Sequence, residues 1–213
     1  DSIAPFLKTK AHVLYNILDV EQVKLSARIE GNPYSEFNNS KLVLVSVCRM
    51  SDESKGIFRQ IDAAAILKSK GYKFRWFFVG DGADLIEFKR KIDQKQLGDC
   101  IFSVGEKENP YPYIKFADVV CVLSNYEGLC GVVNEAKILG KPVIATEFSG
   151  IHEQLTHKVS GFIVKNSLEA IVLGLERILG NEDLLVSMQN DLLGSGIGDN
   201  DLKVKNLRNI ISA

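Results

Sequence analysis

The sequence predicts an α/β fold, a Rossmann-like doubly wound parallel sheet, on three observations. Short apolar runs alternate with segments of helical spacing along most of the 213 residues. The clearest run, LVLVSVC at 42–48, is almost uninterrupted, as a parallel strand covered on both faces requires. Glycine, proline and asparagine punctuate the joints between runs.

Residues 1–40 carry weak periodicity and end in turn chemistry, Gly31, Asn32, Pro33 and then Asn38, Asn39, Ser40. After the first strand, 54–68 places Ile57, Phe58, Ile61, Ala64, Ala65 and Ile66 on one helical face. FRWFFVG at 74–80 reads as the second strand and 83–95 as a helix. A short third strand at 101–104 precedes a helical piece at 111–116, introduced by Pro110 and Pro112. The fourth strand is 119–123, followed by a helix at 132–139, a fifth strand at 143–145 and a sixth at 161–164. Helices at 168–179 and 182–193 follow. The Gly-rich turn at 194–201 then leads to a last amphipathic helix at 202–211, with Leu207, Ile210 and Ile211 on its apolar side.

Bulk properties narrow the classes. Hydrophobic residues make up 46% and charged residues 25%, the balance of a globular chain. A net charge of −1 argues against a nucleic-acid partner, whose affinity rests on clustered Lys and Arg. Lys89, Arg90, Lys91 and Lys95 read as a solvated helix face. Cys48, Cys100, Cys121 and Cys130 lack metal-ligand spacing and read as reduced thiols, with Cys48 and Cys121 inside buried strands. No apolar run approaches the roughly 20 residues of a membrane span, and no signal peptide is evident, so a cytoplasmic location is expected.

In open parallel sheets ligands sit at the carboxyl ends of the strands, so the polar residues just after each strand carry the chemistry. Arg49 follows the first strand, and Lys55-Gly56 opens the next helical segment. Arg grips phosphate oxygens bidentately and Lys adds a point charge, so the pair suits a phosphorylated ligand. A lysine is the wrong sign for a helix N-terminus, which favours a functional role for Lys55. After the fourth strand comes SNYEGLCGVVNEAK (124–137), in which Glu127 and Glu135 stand eight positions apart around a glycine-containing turn. The backbone from Gly128 through Leu129, Cys130 and Gly131 to Val132 opens a helix, a ready anion site, and Gly128 and Gly131 keep that backbone accessible. Glu135 lies early in the helix and leans toward its N-terminus, where a carboxylate accepts from both hydroxyls of a diol or simply complements the dipole. Gly80-Asp81-Gly82 fails as a dinucleotide fingerprint because Leu85 occupies the last glycine position. Asp199-Asn200-Asp201 offers a D-x-D but reads as helix capping. His12, His152 and His157 have no ligand spacing, and a nucleophilic role for Cys130 is disfavoured.

Strand, serine, Glu-Gly turn, helix with a second glutamate, then GKPVIAT (140–146): this order resembles the nucleotide-sugar half of the family-4 retaining glycosyltransferases of the GT-B fold. HVLYNILD at 12–19 resembles the stretch linking the two halves of such enzymes, and TEFSGIHE at 146–153 resembles their T-D-x-G-G-x-x-E loop, with Glu147 for the usual aspartate. The resemblance covers roughly 13–193. It implies the strand order and a sugar transfer from a nucleotide donor, a UDP-sugar by family frequency, with same-face departure and attack. It places Arg49 and Lys55 on the diphosphate in place of a metal ion, Glu135 on the ribose and Glu127 beside the sugar. Gly105 and Glu106 fall where the family's backbone meets the base. Gly80 and Thr146 fall at strand ends facing the donor. Cys130 departs from the family's pattern, which has glycine there. No tightly bound cofactor and no metal are implied.

By the same resemblance, 1–40 is an interdomain linker, 41–195 the donor-binding domain, and 196–213 a helix that packs on an N-terminal acceptor-binding domain absent from this chain. The isolated chain is then expected to be inactive. The expected setting is bacterial cell-surface polysaccharide synthesis on a lipid-linked glycan acceptor, with peripheral contact to the inner face of the membrane through the absent domain. The readings left open beside it are a GT-B-fold nucleotide-sugar epimerase and a non-catalytic nucleotide-sugar-binding subunit.

Overall fold

The computed structural model describes residues 18–37 and 41–194. Helix α1 (Val20–Ile29) precedes strand β1 (Leu42–Val47), after which come α2 (Asp52–Lys55), α3 (Ile57–Ser69) and β2 (Phe74–Val79). Then follow α4 (Leu85–Gln94), β3 (Ile101–Gly105), α5 (Tyr111–Phe116) and β4 (Val119–Val122). The remainder is α6 (Gly131–Ile138), β5 (Val143–Thr146), α7 (Ile151–Gln154), β6 (Gly161–Val164), α8 (Leu168–Leu179) and α9 (Glu182–Gly194).

The six strands form one sheet in the order β3-β2-β1-β4-β5-β6, and every pairing is parallel. This is the doubly wound arrangement expected from the alternation. Neighbouring residues go to opposite faces. Leu44, Trp76, Phe78, Cys121 and Ile144 pack beneath α3, α4, α8 and α9, while Val45, Phe77, Val120, Val122 and Val143 pack on the other side. Both faces are covered, which is why the strands read as apolar runs without alternation. The order reverses between β1 and β4, so the switch-point crevice lies beyond their carboxyl ends.

A buried polar chain ties the core to that crevice. The Trp76 Nε1 donates to the Ser46 Oγ at 3.0 Å, Ser46 donates to the Gln60 Oε1 at 2.9 Å, and the Gln60 Nε2 donates to the Lys55 carbonyl at 2.9 Å. Gln60 and Ser46 are buried, and each is satisfied by the other, as buried polar groups must be.

Several elements differ from the sequence-based expectation. The helix expected over 54–68 is two helices, broken at Gly56, whose φ of 59° is left-handed. A Cβ there would stand 3.0 Å from the Asn125 Oδ1 and 3.3 Å from the Leu123 carbonyl oxygen, so glycine is required by both torsion and space. Helix α1 has no counterpart in the expectation. Its buried residues are Val23, Ser26 and Ala27, too small to stand out as an apolar stripe, while Leu25 and Ile29 are exposed. Helix α7 is a single turn inside the stretch expected as a loop. Cys48 lies just past β1 and is only partly buried. The Asp199-Asn200-Asp201 triplet, the helix expected over 202–211 and most of the stretch 12–19 lie outside the described residues.

Candidate functional site

Two loops meet at the switch point. The first leaves β1 through Cys48 and Arg49 and turns into α2. The second leaves β4 through Leu123 and Ser124 and runs to Cys130, the N-cap of α6. Asn125 stitches them together: its backbone N–H donates to the Ser54 carbonyl at 2.8 Å, and its side-chain amide donates to the carbonyls of Asp52 and Glu53 at 2.9 and 3.0 Å. Arg59 reaches the Leu123 carbonyl at 3.0 Å. Between the loops lies an open cleft of about 520 Å³ lined by Arg49, Ser54, Lys55, Tyr126, Glu127 and Gly128. A cavity of about 30 Å³ also touches Lys55 and Glu127, and runs among Cys48, Gln60 and Cys130.

Lys55 and Glu127 form an ion pair across this cleft, with side chains 22% and 15% exposed. The same Glu127 oxygen accepts from the Ser124 hydroxyl at 3.0 Å. Arg49 is exposed and has no ion pair or hydrogen bond from its side chain among the described residues. The helix-dipole argument for Lys55 needs correction. Lys55 closes α2, where a cation is favourable, and Gly56 rather than Lys55 caps α3. The short α2 and the Gly56 kink together aim Lys55 into the cleft.

Glu135 is the fifth of the eight residues of α6, one turn past Gly131, with a carboxylate oxygen 4.0 Å from where a Cβ on Gly131 would be. No side-chain hydrogen bond is recorded for it among the described residues, and burial raises its carboxyl above the usual glutamate range. Burial also raises the Cys48 thiol to about 12, with Lys55 pulling the other way. Cys130 is raised by burial and then by Glu127, so neither thiol has nucleophilic character.

The Glu127–Gly131 turn is held from behind, chiefly by Gln154, a residue with no signal in the sequence. The buried Gln154 presents its amide to Cys130: the Cys130 N–H donates to the Gln154 Oε1 at 2.9 Å, and the Gln154 Nε2 donates to the Cys130 carbonyl at 2.8 Å. Lys137 in turn donates to the Gln154 carbonyl at 2.7 Å. Gly150, at φ 80°, lets the loop after β5 approach the Gly128 carbonyl, 3.0 Å from where a Cβ would stand.

The remaining predicted site residues fall in four places. Gly128, Leu129 and Gly131 are exposed along the turn and Val132 is half-buried at the start of α6. Thr146 is fully buried and donates to the Ser124 carbonyl at 2.6 Å, so its hydroxyl fixes the turn. Gly80, at φ 146°, has the Cys48 carbonyl oxygen 1.9 Å from where a Cβ would be, which makes it a packing glycine that joins the ends of β1 and β2. Gly105 and the exposed Glu106 stand at the end of β3, two strands from the switch point. His152 lies on α7 beside Glu147 at 3.3 Å, both exposed. Among the described residues no cluster of three or more His, Cys, Asp or Glu could hold a metal ion, and no helix is long and apolar enough to cross a membrane.

With the cleft described, similarity to known proteins can be placed on it. Residues 30–191 match the family described as glycosyl transferases group 1. The amylovoran biosynthesis glycosyltransferase AmsK of Erwinia amylovora is 34% identical over 148 residues, 64% of this chain and 36% of that protein. The capsular polysaccharide biosynthesis glycosyltransferase CapM of Staphylococcus aureus is 25% identical over 175 residues, 79% of this chain and 45% of that protein. The chain thus spans between about a third and a half of the length of these relatives. Anabaena HepE, in a crystal structure with UDP, superposes with a TM-score of 0.80 at 19% identity, over 94% of this chain and 57% of that one. Staphylococcus aureus TarM superposes at 0.76 over 95% of this chain and 39% of that one, at 16% identity. The fold is that of GT-B glycosyltransferases, and the family match spans the sheet and both site loops: the chain belongs to the group 1 glycosyl transferases.

Proposed function

We propose that this chain is the donor-binding half of a retaining glycosyltransferase that transfers a sugar from a nucleoside diphosphate, UDP by preference, to an acceptor held by a second domain. The observation that carries the reading is the convergence of Arg49, Lys55 and Glu127 on one cleft at the switch point. AmsK and CapM act in polysaccharide biosynthesis, and HepE has been crystallised with UDP and with UDP-glucose; both support the substrate class.

In this reading Arg49 takes the diphosphate bidentately and Lys55 adds a second positive charge. Together they stabilise the negative charge that grows on the leaving group, so that a metal ion is not required. Glu135, half-buried and without a side-chain hydrogen bond among the described residues, accepts from the ribose hydroxyls, which replace part of the hydration its carboxylate lacks. Glu127 accepts from sugar hydroxyls, and the exposed backbone at Gly128, Leu129 and Gly131 lies against the same group, while the Cys130 backbone stays committed to Gln154. No protein nucleophile is needed: the leaving phosphate takes the acceptor proton on the face it departs from. The acceptor is a glycan of cell-surface polysaccharide assembly, and the chain alone does not complete the transfer.

Calorimetric titration with UDP, GDP and ADP, each in EDTA and in Mg²⁺, tests this. The expected result is binding of one diphosphate without metal, lost in Arg49→Ala and weakened in Glu135→Ala. Binding that survives Arg49→Ala unchanged would contradict the assignment.

A further inference from the structure

The cleft holds two cations in different states. Arg49 is free to meet an anion directly. Lys55 is already neutralised by Glu127, in a pair largely shielded from water. The shielding matters because an exposed pair exchanges partners at little cost, whereas a half-buried carboxylate stripped of its cation keeps an unpaired charge in a poorly solvated site. Among the described residues Glu127 has one other partner, the Ser124 hydroxyl; Gln60 is committed to Ser46 and to the Lys55 carbonyl, and Arg49, the other cation of the cleft, is engaged by the same diphosphate that draws Lys55 away.

We propose that Glu127 determines specificity by counter-ion exchange: Lys55 leaves Glu127 to reach a diphosphate, and only a ligand whose own hydroxyls replace Lys55 on Glu127 recovers what that exchange loses. This inference rests on the donor-site reading above and adds a selectivity to it. A nucleoside diphosphate without a sugar takes Lys55 and strands Glu127. An intact sugar nucleotide takes Lys55 and supplies hydroxyl donors to the freed carboxylate. The site therefore favours donor over product, and Lys55 returns to Glu127 as the product leaves. No bond is made or broken in the exchange; one ion pair and a set of hydrogen bonds change partners.

The exchange is tested by titrating the unaltered chain, Glu127→Gln, Lys55→Met and the double variant. The ligands are the nucleoside diphosphate bound in the titration above and the tightest binder among UDP-glucose, UDP-galactose and UDP-N-acetylglucosamine. Glu127→Gln is expected to tighten the diphosphate about tenfold or more, the lower end of one charge-assisted contact no longer competed for. The sugar nucleotide is not expected to gain, and the effect is to vanish when Lys55 is also replaced. A thermal-unfolding cycle of the same four chains without ligand is expected to be non-additive, since the two residues are already paired. If the unaltered chain binds a diphosphate and Glu127→Gln binds it no more tightly, the exchange is overturned while the donor site stands. If the unaltered chain binds none of the three diphosphates, both fall together.

Discussion

Two hollows of similar size lie on this sheet, and they are built for opposite purposes. The cleft at the switch point, about 520 Å³, is lined by Arg49, Ser54, Lys55, Tyr126, Glu127 and Gly128. The second, about 440 Å³, lies along β2 and β3 and takes its walls from Phe37, Phe77, Phe102 and Tyr113, with Lys89 and Asp93 as charged lining. In the second the rings satisfy one another. Phe77 stacks on Phe102 at 4.8 Å, Phe37 meets Phe102 at 5.1 Å, and Tyr34 lies over Phe77 at 4.5 Å. Volume does not tell the two apart. An unpaired arginine, a carboxylate shared between lysine and serine, and the reversal of strand order mark the first as the one built to meet a ligand. The second is a seam where α1's following turn joins the sheet.

The contrast is sharpest where stability and binding separate. Phe77→Ala is expected to cost about 3–5 kcal/mol in urea unfolding, the usual loss for a fully buried aromatic, while the folded fraction binds UDP as before. Arg49→Ala is expected to do the reverse. The UDP dissociation constant rises about 10- to 100-fold in calorimetry, and the melting curve stays in place because Arg49 supports nothing else. Gln154→Leu lies between them. It leaves the Cys130 N–H and carbonyl unpaired behind the turn, so a stability loss of about 1–3 kcal/mol should accompany a weaker UDP complex. If Gln154→Leu lowers stability and leaves binding untouched, the clamp is not what shapes the site.

The smallest effect concerns Glu135. Burial raises its folded-state pKa above the ordinary 4.5, so the group favours folding while protonated in both states and works against it once pH passes upward through the folded value. Glu135→Gln should therefore raise the melting temperature modestly at pH 7, and the gain should disappear below pH 4.5. A gain that persists unchanged into acid would assign the burial penalty to some other group.

The sequence carried the alternation of elements because each strand is apolar on both faces, and it carried the two cations and two glutamates because they fall in the loop-and-helix segments that follow β1 and β4. It was silent where partners are distant in the chain. Gln154 finds Cys130 across 24 positions, and Thr146 finds Ser124 across 22, with no pattern to announce either. The Gly56 break escaped because Ile57, Ile61 and Ala64 keep a helical period straight through the start of α3. Only the left-handed torsion and the crowding by Asn125 reveal why a glycine stands there. Helix α1 did leave a trace: Asp19 caps it by accepting from the Gln22 N–H at 2.9 Å, the acid-x-x-Gln spacing of a helix start. Gly80 was legible as a strand end, but its role is close packing against Cys48, which spacing alone does not distinguish from contact with a ligand.

The central claim is that the switch-point cleft, and not the aromatic hollow, receives the nucleoside diphosphate. Amide hydrogen exchange of the chain with and without saturating UDP tests this most directly. The account predicts slowed exchange confined to residues 49–56 and 124–135, the two loops that enclose Arg49, Lys55 and Glu127. Protection centred instead on 101–104 and the neighbouring part of β2, around Phe77 and Phe102, would contradict it.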